Sequence, residues 1–202
     1  RLPAYSKRGL LPIPDRPAGR RLLSMVDPWA YRERLTMPKL IINGTNDLYW
    51  ATDALNLYWD GIPSDKWVHY IPNAGHNLRR QDRPPQEQFN DLVTSLAAFS
   101  RHQISGTPMP SVRWKHENVD GKLRLTIDAA PAPIGARLWA AQTATTDFRA
   151  TQWREQAVSV KDGKIIGEVT PPESGHLAFF GELDYEIDGV RYHLSTQVRM
   201  TE

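Results

Sequence analysis

The hydrophobic pattern of the sequence changes near residue 105. Before that point, two short apolar runs, Lys39–Asn43 and Lys66–Ile71, flank a segment with helical spacing, Ala51–Asp60. Short runs of this kind predict strands buried on both faces of a parallel sheet, and the helical segment predicts the crossover between them. The order strand, helix, strand predicts an α/β fold for the first part of the chain.

Two further helical elements are predicted in this part. Asp27 followed by Pro28 is typical of a helix start, with Asp as the capping residue and Pro at the first helical position. A longer helix is predicted from about Pro85 to Arg101, because one apolar stripe runs along it. The members of that stripe are Phe89, Leu92, Val93, Leu96 and Phe99. We expect the stripe to face the hydrophobic core.

Beyond a Pro- and Gly-containing linker, the apolar period falls from 3.6 to 2. The alternation begins at Val112, and three Asp-Gly pairs, at 120–121, 162–163 and 188–189, predict hairpin turns between strands. About seven short strands at this spacing predict an immunoglobulin- or fibronectin-like β-sandwich. The predicted domains are therefore residues 1–104, an α/β unit, and residues 111–202, the sandwich.

Candidate chemistry lies where the two predicted parallel strands end. Asp47 follows Gly44-Thr45-Asn46 after the first strand, and His76 lies in the Gly-containing loop after the second. The carboxyl ends of parallel strands meet at one sheet edge, so we expect these side chains to lie close together. A carboxylate that orients a histidine acting as general base forms two thirds of a hydrolytic triad. Asp47 as a plain turn residue remains an alternative, with Asp53 and Asp60 as weaker candidates for the acid.

The remaining candidate residues are aromatic. Tyr49 and Trp50 come directly after Asp47 and could line a substrate pocket. The other histidines are scattered without metal-ligand spacing, and the chain has no cysteine, so no metal and no cofactor are expected.

Five short motifs occur along the chain: Asp27–Arg32, Leu35–Lys39, Tyr58–Asp60, Ile71–His76 and Asp147–Arg149. In their order and spacing they resemble one known family, the PhoPQ-activated pathogenicity-related proteins. That family is similar to α/β-hydrolases, in which the chain order is nucleophile, acid, histidine. The resemblance implies that the first domain is the last part of an α/β-hydrolase sheet, with Asp47 as the acid and His76 as the histidine. It also implies a periplasmic or secreted protein.

The sequence lacks a Gly-x-Ser-x-Gly motif, and 46 residues before Asp47 are too few for the strands and loops that would carry one. We therefore expect this chain to be the carboxyl-terminal part of a longer protein and its first partner to be the amino-terminal half of that protein. The expected function is serine hydrolysis of an ester or amide bond in a small-molecule, peptide or glycan-linked substrate. The alternative is a secreted binding or signalling protein on a hydrolase scaffold, and the sandwich itself could bind glycans.

Charge and hydropathy narrow the range of partners. The net charge of +2 implies no basic surface for nucleic acid. No apolar run reaches the ~18–20 residues that cross a bilayer, so no membrane span is expected.

Overall fold

The computed structural model describes residues 6–9 and 11–201, so residues 1–5, 10 and 202 of the predicted domains lie outside the described residues. The described residues fall into two compact units. One contains residues up to 38 together with 58–65, and the other contains residues 39–57 and 66–201.

The first unit is helical. Helix α1 spans Pro17–Val26, and a 3₁₀ helix spans Pro28–Arg34. The predicted capping role of Asp27 is confirmed, since its carboxylate accepts a 2.9 Å hydrogen bond from the backbone N–H of Trp29. Gly61 lies against the indole of Trp29 so closely that a Cβ would come within 2.2 Å of that ring.

The described part of the second unit consists mainly of strands, arranged in two sheets. The strands are β1 (Lys39–Gly44), β2 (Lys66–Ile71), β3 (Ser111–Val119), β4 (Lys122–Ala130), β5 (Gly135–Thr143), β6 (Arg154–Gln156), β7 (Ser159–Lys161), β8 (Lys164–Val169), β9 (His176–Ile187), β10 (Val190–Ser195) and β11 (Arg199–Met200). The large sheet has the order β1-β2-β10-β9-β5-β6, with β11 also paired to β9, and the small sheet has the order β3-β4-β8-β7.

The two sheets enclose one apolar core, as in a sandwich. Leu125 and Ile127 of β4 are buried against Leu138 of β5 and Phe179 of β9. All three predicted Asp-Gly turns are confirmed, because both residues of each pair have positive φ and each pair joins two neighbouring strands. Glycine and aspartate tolerate that conformation, which matches the twist of a tight hairpin.

The predicted α/β-hydrolase sheet is wrong. β1 and β2 do pair in parallel, in the register Lys39 with Lys66, but β2 then pairs antiparallel with β10 through Ser195 and Val68. Within the described residues, these two strands therefore extend a β-sandwich sheet rather than closing a helix-flanked parallel sheet. The large sheet takes strands from both sides of the predicted linker.

The helical predictions in this unit need two corrections. The segment Ala51–Asp60 contains only a short 3₁₀ helix, Ala54–Leu57, in place of the predicted crossover helix. The later helix is present as α2 (Asn90–Ser105), preceded by a 3₁₀ turn at Pro85–Glu87. However, three members of its predicted core stripe are exposed: Phe89, Val93 and Leu96.

Candidate functional site

The loops after β1 and β2 run side by side. The backbone N–H of Thr45 donates to the carbonyl of Ile71, and that of Asn46 donates to the carbonyl of Ala74. Gly44 permits this approach, because a Cβ at that position would lie 2.4 Å from the Ala74 carbonyl oxygen. Parallel pairing thus brings the Asp47 loop and the His76 loop to the same end of the sheet.

Asp47 and His76 form a hydrogen-bonded pair there. Asp47 Oδ2 lies 2.9 Å from His76 Nδ1, and the ring nitrogen must donate because an ionised carboxylate only accepts. The other oxygen, Oδ1, accepts from the backbone N–H groups of Tyr49 at 2.6 Å and Trp50 at 3.3 Å. Asp47 is buried, whereas 55% of the His76 side chain is exposed. The carboxylate is thus held by its own loop, and the far edge of the imidazole is open.

The two predicted pocket residues flank this pair. The Tyr49 ring lies against the His76 ring, with 4.5 Å between centroids and 53° between planes. Tyr49 and Trp50 are exposed, as is Leu48, so three consecutive large apolar side chains directly after Asp47 are open to solvent. The structure thus brings together Asp47, His76, Tyr49 and Trp50; their catalytic and substrate-binding roles stay predictions.

A polar network that sequence reasoning missed connects the two loops. The hydroxyl of the buried Thr45 donates to Asn46 Oδ1 and accepts from the backbone N–H of Asn73, both at 2.8 Å. The Asn46 amide donates to the carbonyls of Phe148, Arg149 and Thr151. Asn73 in turn exchanges hydrogen bonds with the backbone of Trp153.

The consequence is that the segment containing Asp147–Arg149 is fastened to the residue that precedes Asp47. Phe148 is buried and packs near the Trp153 indole, while Asp147 and Arg149 form an exposed ion pair. Asparagines in both strand-end turns were visible in the sequence. Their partners are 80 to 105 residues away, so the sequence pattern did not reveal the connection.

A second polar cluster lies in the large sheet. Glu182 and Asp184 of β9 and His193 of β10 place ligand-type atoms within 4.8 Å of one another. The guanidinium of Arg137, on β5, donates to both carboxylates, and His193 Nδ1 lies 2.8 Å from Asp184 Oδ1. Burial acts to lower the pKa of His193, but the hydrogen bond to Asp184 and the neighbouring carboxylates outweigh it and raise that pKa. This arrangement is an ion-pair network in which Arg137 already supplies the positive charge.

No nucleophile accompanies the Asp47–His76 pair in the described chain. Within residues 6–9 and 11–201, no serine hydroxyl is hydrogen-bonded to His76. The fold and the site therefore define a β-rich protein that carries an acid–histidine pair at the end of two parallel strands.

Comparison with known proteins identifies the family. Residues 1–149 match the sequence profile of the PhoPQ-activated pathogenicity-related proteins, and the chain belongs to that family. The resemblance seen in the short motifs is thereby confirmed. The matched region includes Asp47, His76 and the segment Asp147–Arg149.

One curated relative is Autocrine proliferation repressor protein A of Dictyostelium discoideum. It is 25% identical to the chain over an aligned region of 204 residues. That region covers 90% of this chain and 40% of the relative. The chain therefore spans less than half the length of that relative. No solved structure shows significant similarity to the chain. Among the described residues, none of the helices has both the length and the apolar character required to cross a membrane.

Proposed function

We propose that this chain supplies the acid and the general base of a Ser-His-Asp hydrolase, and that the serine belongs to a part of the protein outside these 202 residues. The observation that carries the proposal is the 2.9 Å contact between Asp47 Oδ2 and His76 Nδ1. It leaves Nε2, on the open edge of a half-exposed ring, as the nitrogen that could accept a proton.

The roles follow from the chemistry of acyl transfer. The serine would attack an ester or amide carbonyl while His76 Nε2 takes its proton, and His76 would later return that proton to the leaving group. Asp47 would keep the proton on Nδ1 and stabilise the imidazolium. Its own two backbone hydrogen bonds support this role, because they hold the carboxylate still during proton transfer.

The exposed aromatic residues suggest where the substrate would bind. The Tyr49 ring lies against the imidazole, and Trp50, the next residue in the chain, is also exposed. We assign them to the wall of the substrate pocket, where aromatic rings would contact an apolar or sugar-like acyl group.

The test uses the complete product of the gene that encodes this chain, treated with a fluorophosphonate probe that labels activated serines. The wild-type protein should gain one adduct. Asp47→Asn and His76→Ala should each reduce the labelling rate by about 10⁴-fold or more, as when a triad loses its acid or base. Asp53→Asn is the matched control, since it removes the nearest competing carboxylate in the sequence without touching the pair. Equal labelling of all three variants would refute the assignment.

The second candidate is a binding or signalling protein on a scaffold that has lost catalysis. The relative supports this candidate, because its name describes repression of proliferation rather than hydrolysis. Under this alternative the probe labels nothing, and Asp47→Asn leaves every biological readout of the protein unchanged.

A further inference from the structure

Helix α2 faces the core with its small and polar side. Ser95, Ala98 and His102 are buried, and the helix packs on β9 and β10. Two hydrogen bonds fix its rotation: Ser95 Oγ lies 2.8 Å from His69 Nδ1, and His102 Nε2 lies 2.9 Å from the hydroxyl of Tyr192. Turning the helix to bury another face would break both bonds inside the protein, where unpaired polar groups are costly.

The opposite side of the same helix is apolar and uncovered. We call it the outer stripe; its members are Phe89, which directly precedes the helix, and Val93, Leu96 and Ile104 within it, with exposed fractions of 43, 59, 50 and 86%. Their spacing of 4, 3 and 8 residues puts them on one helical face. A group of large apolar side chains left exposed on one face of a helix is typical of an interaction surface.

The edge of the large sheet formed by β1 is also only partly buried. Among the described strands, β1 pairs only with β2, and five of its six residues are only partly buried. Strands of parallel pairs are normally covered on both faces, and an apolar edge strand without proline invites further pairing. α2 packs against β2 as well as β9 and β10, so the helix lies near the strand that pairs with β1.

We propose that the outer stripe of α2 is the docking surface for a part of the same polypeptide that lies outside these 202 residues. The length of the relative argues for this occupant, because more than half of that protein has no counterpart in this chain. The inference goes beyond the hydrolase proposal and does not depend on it, since the surface is apolar whether or not His76 is a base.

The test places the photo-cross-linking residue p-benzoylphenylalanine in the complete gene product, at position 96 in one variant and at position 160 in a control. Val160 of β7 is the matched control, because it is also apolar and is 71% exposed. Peptide mass spectrometry should find position 96 joined to a peptide from outside Arg1–Glu202 of the same polypeptide. The yield should exceed that from position 160 by about tenfold or more, since a packed side chain stays against its neighbour.

Cross-linking is scored without any activity assay, so its outcome is separate from that of the serine probe. A link from position 96 to a second copy of the molecule or to another protein would overturn the proposal. So would a yield no higher than that of the control, or a gene product that adds no residues to this chain. Leu96→Asp should abolish a link formed from position 93, whereas Val160→Asp should leave it intact; circular dichroism confirms that both variants are folded.

Discussion

Gly44 is the position at which a single methyl group should separate the two loops of the candidate site. In Gly44→Ala the new Cβ would lie 2.4 Å from the Ala74 carbonyl oxygen and 2.5 Å from that of Gly75. Real Cβ contacts essentially never fall below 3.0 Å, so the His76 loop must retreat by at least 3.0 − 2.4 = 0.6 Å. That movement displaces the acceptor of the 2.9 Å hydrogen bond from the Asn46 N–H.

The size of the effect follows from these contacts. Overpacking against backbone costs ~1–3 kcal/mol, and weakening one buried hydrogen bond costs ~1 kcal/mol. Replacing Gly by Ala also lowers the conformational entropy of the unfolded chain, which stabilises the fold by ~0.4–1 kcal/mol. We therefore expect Gly44→Ala to lower the free energy of unfolding by about 2 kcal/mol and to disturb the contact between Asp47 and His76.

Gly75→Ala is the matched control, because it lies in the same contact between loops. Its Cβ would be 3.8 Å from the nearest atom, the carbonyl oxygen of Asn46, and neither glycine has a positive φ. This variant should be unchanged or up to ~1 kcal/mol more stable. The two substitutions therefore differ in the space available rather than in backbone strain.

Urea unfolding followed by fluorescence of the seven tryptophans measures both variants. The NMR signal of the His76 Nδ1 proton reports the site itself, and it should shift or vanish only in Gly44→Ala. The reasoning is refuted if the two variants differ by less than ~0.5 kcal/mol, which is within the range of ordinary surface substitutions.

Two further predictions concern buried charge. Burial lowers the pKa of His69 from its ordinary value of 6.5 to about 3, so the neutral form stabilises the fold fully above pH 6.5 and that stability is lost as the pH falls towards 3. In His69→Gln, the free energy of unfolding should fall less steeply with decreasing pH below pH 6.5, by up to ~1.4 kcal/mol per pH unit. Urea titrations measure this slope, and an unchanged slope between pH 6.5 and 4.5 would contradict the prediction. Arg137→Met removes the guanidinium that pairs with the buried Glu182 and with Asp184, leaving His193 beside the two carboxylates, and should cost ~3 kcal/mol. Arg149→Met breaks the exposed pair with Asp147 and should cause little measurable change in the same urea unfolding assay. Similar losses of unfolding free energy in the Arg137 and Arg149 variants would contradict the role of burial.

The parts of the candidate site that depend on residues close together in the sequence could be predicted from the sequence. Asp47 and His76 follow two apolar runs whose parallel pairing brings strand ends together, and the structure puts their side chains 2.9 Å apart. The motifs shared with the family were equally local. What the sequence did not indicate was the polar network of Asn46 and Asn73, whose partners come from the segment around Phe148 and Trp153.

The wrong prediction for the core face of α2 has a physical cause. Periodicity showed that α2 has an apolar side, but the face that meets the core was decided by Ser95 and His102, whose hydrogen-bond partners lie on distant strands. Because that face meets the core, Val93 and Leu96 on the opposite face are exposed.

By itself, the sequence determined those features that depend on neighbours in the chain. The Asp-Gly hairpins form because both residues accept positive φ, and the two parallel strands form because apolar runs flank a connection long enough to cross over. The tertiary structure alone decided the sheet in which those two strands lie. β2 pairs with β10 because the free hydrogen-bonding edge of a strand pairs with the strand that the fold places beside it. The partners in this pair, Val68 and Ser195, are far apart in the chain. Pairing of that kind depends on the packing of the whole β-sandwich, which no local pattern encodes.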